Sequence, residues 1–180
     1  MRLYVPGHDT DALVAIWWET MAQDGDLDDL FFGASRTLSG LFRLIQPPGA
    51  MLYEIDAKGI WFAMWFEGML SGAAAGAWVR TERRRTKACL DAFLAAWEQA
   101  LIAFPVILGV TRQEKLLREH TRLGYTVLGE VPELWEGRSA WVVVLTRPAF
   151  VRTLARFGRI SQALDALVGQ EVPSDGRGRR

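Results

Sequence analysis

A chain of 180 residues suits one domain, and with half of its residues hydrophobic it can bury a sizeable core, which excludes wholesale disorder. Lys plus Arg and Asp plus Glu number 21 each, for a formal net charge of zero. Nothing global therefore draws the protein to nucleic acid, and weak self-repulsion leaves it open to a protein partner or a homo-oligomer. The single cysteine, Cys89, excludes an internal disulfide and a cysteine-cluster metal site, and the two distant histidines, His8 and His120, offer no metal-ligand spacing. The opening MRLYVPGHDTD has no apolar stretch of the signal-peptide kind, so a cytoplasmic setting is expected.

Residues 2–5 predict a short strand closed by Pro6-Gly7. Asp9 or Thr10 then caps a helix reaching about Met21, with Leu13, Ile16, Trp17 and Met21 on one face. Residues 23–29 are polar and acidic, and residues 30–45 read as a second helix stopped by Pro47-Pro48-Gly49. Two strands follow, residues 51–56 and 60–66, around the turn Ala57-Lys58-Gly59. The second is apolar on both faces, as a strand covered on both sides must be. Residues 73–80 predict the next strand. Residues 59–79 carry one charge, Glu67, over a length that could cross a bilayer as a helix. Gly68, Ser71, Gly72 and Gly76, and the absence of flanking anchors, favour strands joined by small-residue turns, so no membrane span is expected.

Residues 83–104 predict the clearest helix, with Leu90, Phe93, Leu94, Trp97, Leu101 and Phe104 at three- and four-residue intervals before Pro105. A short strand at 106–110 comes next, and then a helix at 113–123 with Gly124 at its C-cap. Strands at 125–131 and 140–146 flank a Pro/Gly-containing loop that presents Trp135 as a contact residue. Residues 148–168 read as one final amphipathic helix whose stripe of Phe150, Leu154, Phe157, Leu164 and Val168 is expected to meet a partner. A basic tail spans 170–180, and its Arg177, Arg179 and Arg180 could touch phosphates. The strand at 73–80 and the strand at 106–110 are expected to be parallel neighbours joined by a right-handed helical crossover.

The order β-α-α-β-β-β-α-β-α-β-β over residues 2–147 resembles that of the GNAT (N-acetyltransferase-like) superfamily. LYVPGHDTDALVAIWW is similar to the family's first strand and helix opening, and LLREHTRLGYTVLGEVP to its late helix, which ends in a Leu-Gly-aromatic step. The resemblance implies an α/β (α+β) fold with a central mixed, twisted sheet of about six or seven strands flanked by helices, residues 148–169 being an extra helix beyond it. It also assigns WVRTERRRTKACLDAFL to the acyl-CoA pyrophosphate loop, of the form Arg/Gln-x-x-Gly-x-Gly/Ala. Read from Arg83, Thr86 and Ala88 stand at the glycine positions; read from Arg85, Ala88 and Leu90 do. Neither register keeps the first glycine, so acetyl-CoA is expected to bind weakly and no cofactor is assigned.

Arg80, Arg83, Arg84, Arg85 and Lys87 crowd the start of a helix whose dipole already favours anions, each at a cost of up to about 1 kcal/mol. Arg83, Arg84, Arg85, Thr86, Lys87 and Ala88 are therefore the candidate anion site, for pyrophosphate, nucleic-acid phosphate or a partner's carboxylates. The resemblance places His120 where many members carry a tyrosine that protonates the leaving thiolate, and Glu67 is a candidate base. The glycine-poor loop, Trp78, Trp97, Gly109-Val110-Thr111 and Leu123-Gly124 are also similar to the small internal-virion or assembly proteins of short-tailed bacteriophages. That resemblance implies a non-catalytic scaffold in the particle or the host cytoplasm. The rival implication is an acetyl-CoA-dependent N-acetyltransferase acting on an amine.

Overall fold

A computed structural model describes residues 1–31, 36–69 and 72–171. Seven strands form one mixed sheet: β1 (Arg2–Leu3), β2 (Ala50–Asp56), β3 (Gly59–Met69), β4 (Gly72–Val79), β5 (Val106–Thr111), β6 (Thr126–Trp135) and β7 (Arg138–Thr146). Their order is β1-β2-β3-β4-β5-β7-β6, antiparallel throughout except for the parallel pair β4 and β5. The helices are α1 (His8–Asp24), α2 (Leu27–Leu30), α3 (Leu38–Ile45), α4 (Lys87–Ala103), α5 (Glu114–Arg122), α6 (Arg147–Arg156) and α7 (Gln162–Glu171). Gly59–Met69 and Gly72–Val79 are thus strands, and among the described residues no helix is long and apolar enough to cross a membrane.

β3 is the spine. Residues 60–66 are buried without interruption because α1 and α3 cover one face of the sheet and α4 the other. On the α1 side Trp17 packs on Trp65 and Trp78 at 6.0 Å, and Phe31 stacks on Trp65 at 4.8 Å. Trp65 lies flat against β4, where a Cβ on Gly76 would stand 2.4 Å from its ring carbons; only glycine fits beneath that indole. On the α4 side Phe62, Met64, Phe66, Leu94, Trp97 and Leu101 form the larger core.

Several elements depart from the sequence-based boundaries for identifiable reasons. α1 starts at His8 without a side-chain cap, because Thr10 Oγ1 donates to the carbonyls of Val5 and Gly7, while the Asp11 carboxylate accepts from the Tyr4 hydroxyl and the Gly7 N–H. Its buried residues are Val14, Trp17, Trp18 and Met21, so Ile16 faces solvent. Within the helix predicted for 30–45 lies α3, capped by Thr37, whose hydroxyl accepts from Gly40 N–H at 3.1 Å, while α2 falls almost entirely in the stretch read as polar and acidic; part of the predicted helix lies outside the described residues. α4 begins at Lys87 rather than Arg83, since Thr81–Arg83 forms a 3-10 turn and Thr86 caps the helix.

The final helix is two helices. α6 ends at Arg156, Gly158 adopts φ +67°, and α7 folds back onto α4. Phe150, Leu154 and Leu164 are buried in the core of the domain itself, and Val168 is half-buried. This corrects their expected role as partner contacts: an apolar stripe is equally satisfied by the protein's own sheet layer. Of the five, only Phe157 stays exposed. The tail at 172–180, with Arg177, Arg179 and Arg180, lies outside the described residues.

Candidate functional site

The parallel pair is barely a pair. β4 and β5 share two registered residue couples, Ala73 with Ile107 and Ala74 with Leu108, and then diverge. Gly72 permits the closed end, where a Cβ would stand 2.6 Å from the Val106 carbonyl. Past it, residues 75–79 and 109–111 leave facing strand edges unpaired with each other. β5 keeps its other edge fully bonded to β7, so the divergence is a slot within the sheet rather than a frayed end. The slot opens toward the loop that leads from β4 into α4.

That loop holds the arginines. Arg80 is buried, donating to Asp56 at 3.0 Å and to the Ile60 carbonyl at 2.8 Å. Arg83 reaches the same carboxylate at 2.8 Å and lies over the Trp61 ring. Asp56, gripped by Arg83, by the Lys58 N–H and by Arg80, is held far below the usual carboxylate range. Arg84 donates to the Val79 carbonyl at 2.8 Å and to Asp26 at 3.1 Å, and Lys87 pairs with Asp91 at 2.8 Å. The cations that seemed to burden a helix start are thus turned away from it, onto carboxylates. Arg85 is different: exposed, in the left-handed region at φ +66°, it has no ion pair among the described residues. Thr86 Oγ1 accepts the Cys89 N–H and the Arg85 N–H is turned to the Cys89 sulfur, whereas the amides of Lys87 and Ala88 find no acceptor among the described residues. The candidate set from Arg83 to Ala88 therefore divides into spent cations and a small anion-ready nest, made of the Lys87 and Ala88 amides beside the Arg85 guanidinium.

A depression of about 400 Å³ lies on the other side of the loop, lined by Asp56, Lys58, Arg80, Glu82, Arg83 and Thr86. Its charges are already paired with one another, so it offers little to a ligand.

A second acidic block meets the slot from the α1 side. Asp26 Oδ2 accepts from Trp78 Nε1 at 2.7 Å as well as from Arg84. Asp29 pairs with Arg112 and accepts from Gln113 Nε2 at 3.2 Å, just beyond β5. Arg112 in turn lies over the Trp135 ring at 5.6 Å. Trp135 ends β6 and is buried, and a two-residue turn, Glu136-Gly137, replaces the expected loop; Trp135 is part of this packing rather than an exposed contact. Asp26, Asp29, Asp56 and Arg112 escape a reading by motif. Their signal is the pairing of acidic runs with a basic run in a chain of zero net charge.

His120 and Glu67 stand apart. His120 Nδ1 is 2.7 Å from the Leu116 carbonyl, which can only accept, so Nδ1 carries the proton. Nε2 is directed to β5, 3.9 Å from where a Cβ on Gly109 would be, and the ring packs edge-on against Tyr125. Burial lowers the imidazole's pKa, so the ring is neutral at pH 7, and its Nε2 has no hydrogen-bond partner among the described residues. It is set to take a proton rather than to supply one to a leaving thiolate. Glu67 is exposed near the end of β3, opposite Ala74, and by strand alternation faces the α1 side, away from α5. The two do not form an acid–base couple. Among the described residues no group of three or more His, Cys, Asp or Glu is placed to hold a metal ion.

No protein-family model matches the chain, and no curated protein is similar to it. Solved structures do match. Spermidine N-acetyltransferase from Vibrio cholerae in complex with CoA and spermine superposes with a TM-score of 0.64 at 10% identity, over 83% of this chain and 96% of that one. An aminoglycoside 6'-N-acetyltransferase complexed with coenzyme A gives 0.60 at 10%, over 81% and 97%. Ribosomal-protein-S5-alanine acetyltransferase from Vibrio fischeri gives 0.60 at 14%, over 80% and 91%. At these identities the likeness establishes a shared fold. All three are acetyltransferases, so they lend no support to the expected virion or assembly role. Two hold coenzyme A, which leaves the expectation of no cofactor unsupported as well.

Proposed function

We propose, from the GNAT fold that this chain adopts and shares with those acetyltransferases, that it is an acyl-CoA-dependent N-acyltransferase acting on an amine. One observation carries the reading: β4 and β5 part after two residue couples, leaving a slot whose walls are strand edges with unpaired backbone groups. An extended, amide-bearing arm enters such a slot as an added strand would. At its open end the amides of Lys87 and Ala88, with the Arg85 guanidinium, would hold a diphosphate. The left-handed Arg85 supplies the tight backbone turn that a glycine usually provides, which is why the missing glycine does not close the site. Acyl-CoA, when bound, supplies an activated thioester.

The chain's own groups then have separate tasks. His120 Nε2, beside β5, accepts the proton that the amine must lose. Glu67, on the opposite face near the closed end of the slot, attracts the cationic amine. Calorimetry with acetyl-CoA tests the reading: micromolar binding, lost on Arg85→Glu, is expected, and no binding to the wild-type protein would overturn it. Replacing His120 by Gln should lower kcat by about a hundredfold, with Glu67→Gln acting on KM instead.

A non-catalytic reading has one observation in its favour. Arg80, Arg83, Arg84 and Lys87 are all neutralised internally, as in a domain with no anion to bind. The same calorimetry separates the two.

A further inference from the structure

We infer that residues 26–30 form a strap tied across the open end of the β4/β5 slot, with Asp26 as its latch, and that a diphosphate-bearing ligand must take Arg84 from Asp26. The identity of that ligand as CoA rests on the acyltransferase reading; the strap does not.

The two walls of the slot are fastened to one short segment. On the β4 side a single oxygen, Asp26 Oδ2, receives both Trp78 Nε1 and Arg84 Nη2. On the β5 side Asp29 receives Arg112 and Gln113 Nε2, and Arg112 also donates to the Asp28 carbonyl at 3.4 Å. Asp28 pairs with Arg36, which reaches on to Glu136 in the β6–β7 turn at 3.0 Å. The segment thus crosses from the end of one diverging strand to the end of the other.

Leu27 and Leu30 hold the middle of the strap half-buried against the α1-side core, but α2 has no fully buried residue and the tie at Asp26 is polar. The Arg84–Asp26 pair is partly exposed, at 47% and 25% of the side chains, and pairs of that kind are weak and screened. Arg84 is nevertheless well placed to change partners. Its Nε is anchored on the Val79 carbonyl, it directly precedes Arg85 and the amides that would take a diphosphate, and only Nη2 is committed to Asp26. A diphosphate brings more charge than one carboxylate and gains the helix amides besides. Binding there removes one of the two hydrogen bonds that Asp26 accepts, loosening the β4 end of the strap while Asp29 keeps the β5 end tied.

Hydrogen exchange of residues 26–31 in the full chain tests this, with CoA and inorganic pyrophosphate as probes and Asp26→Asn as the variant. Asparagine keeps an acceptor for Trp78 but loses the charge that holds Arg84. The variant should exchange faster in the strap and bind CoA about two- to fivefold more tightly, and CoA should speed strap exchange in the wild-type protein. CoA that binds both proteins equally, or that binds the wild type without speeding its strap, overturns the latch while the acyltransferase reading stands. Pyrophosphate that opens the strap in a protein indifferent to CoA leaves the latch standing and overturns that reading. Failure of both probes to bind either protein overturns both. The wild-type measurement stands even if the variant does not fold.

Discussion

Trp65 and Gly76 are a pair in which each residue dictates the other. With a Cβ 2.4 Å from the ring carbons, Gly76→Ala must push the indole off β4 and disturb the Trp17 and Phe31 contacts it makes. A loss of about 1–3 kcal/mol in urea unfolding is expected, as for other overpacked cores. His120 gives a pH signature. Its folded pKa is depressed by burial, so the folded state binds fewer protons; stability is full above about 6.5 and declines as pH falls toward the folded value. His120→Phe should keep the fold and flatten that decline, measured as the midpoint of denaturation against pH. Cys89 should resist thiol reagents until the protein unfolds, because burial raises its pKa and the thiol is covered. These residues differ in legibility. The apolar runs of β3 announce a doubly covered strand, but nothing local shows that Gly76 lies under an indole eleven residues away. The tautomer of His120 depends on a carbonyl that no sequence pattern names.

Elements were legible where periodicity was strong and ambiguous where it was satisfied in more than one way. Helix α4 and the parallel neighbours β4 and β5 follow from the strand–helix–strand order. The start of α4 does not, since a run of arginines after a strand is compatible with helix, turn or loop, and here Thr86 decides it by capping. The stripe from Phe150 to Val168 identifies which side chains are apolar but not what covers them. Gly158 was the available clue to a fold-back, and the structure buries Leu164 against the core that contains Leu101 and Trp97. Leu164→Ala is accordingly expected to cost about 2–5 kcal/mol. Truncation after Arg147 should leave a poorly folded domain, visible as lost cooperativity in thermal unfolding, instead of a folded one that fails to assemble. The anion nest was only half legible. Its cations were conspicuous, whereas the left-handed backbone of Arg85 and the carboxylates that occupy its neighbours belong to the tertiary structure.

At the scale of the whole molecule, zero net charge conceals sorted blocks. The basic loop is answered by Asp56 on one side and Asp26 on the other, so the balance of charge is a folded-state contact pattern as well as a composition. Asp56 should therefore appear in acid unfolding. Its folded pKa lies below its unfolded one, so its contribution is complete above about pH 4 and is lost as pH falls further; Asp56→Asn should remove that part of the profile. The tryptophans give the molecule an optical character of its own. Trp17 stands 6.0 Å from both Trp65 and Trp78, close enough for the excited states of the three indoles to mix. The circular dichroism of the native protein should carry a split indole band that vanishes on unfolding and reports on one small region of an otherwise large chromophore set. Trp78 is also the indole bonded to Asp26, so whatever shifts that carboxylate tunes the emission colour of the trio. Movement at the mouth of the slot is thereby written into light that the chain absorbs and emits without any added dye.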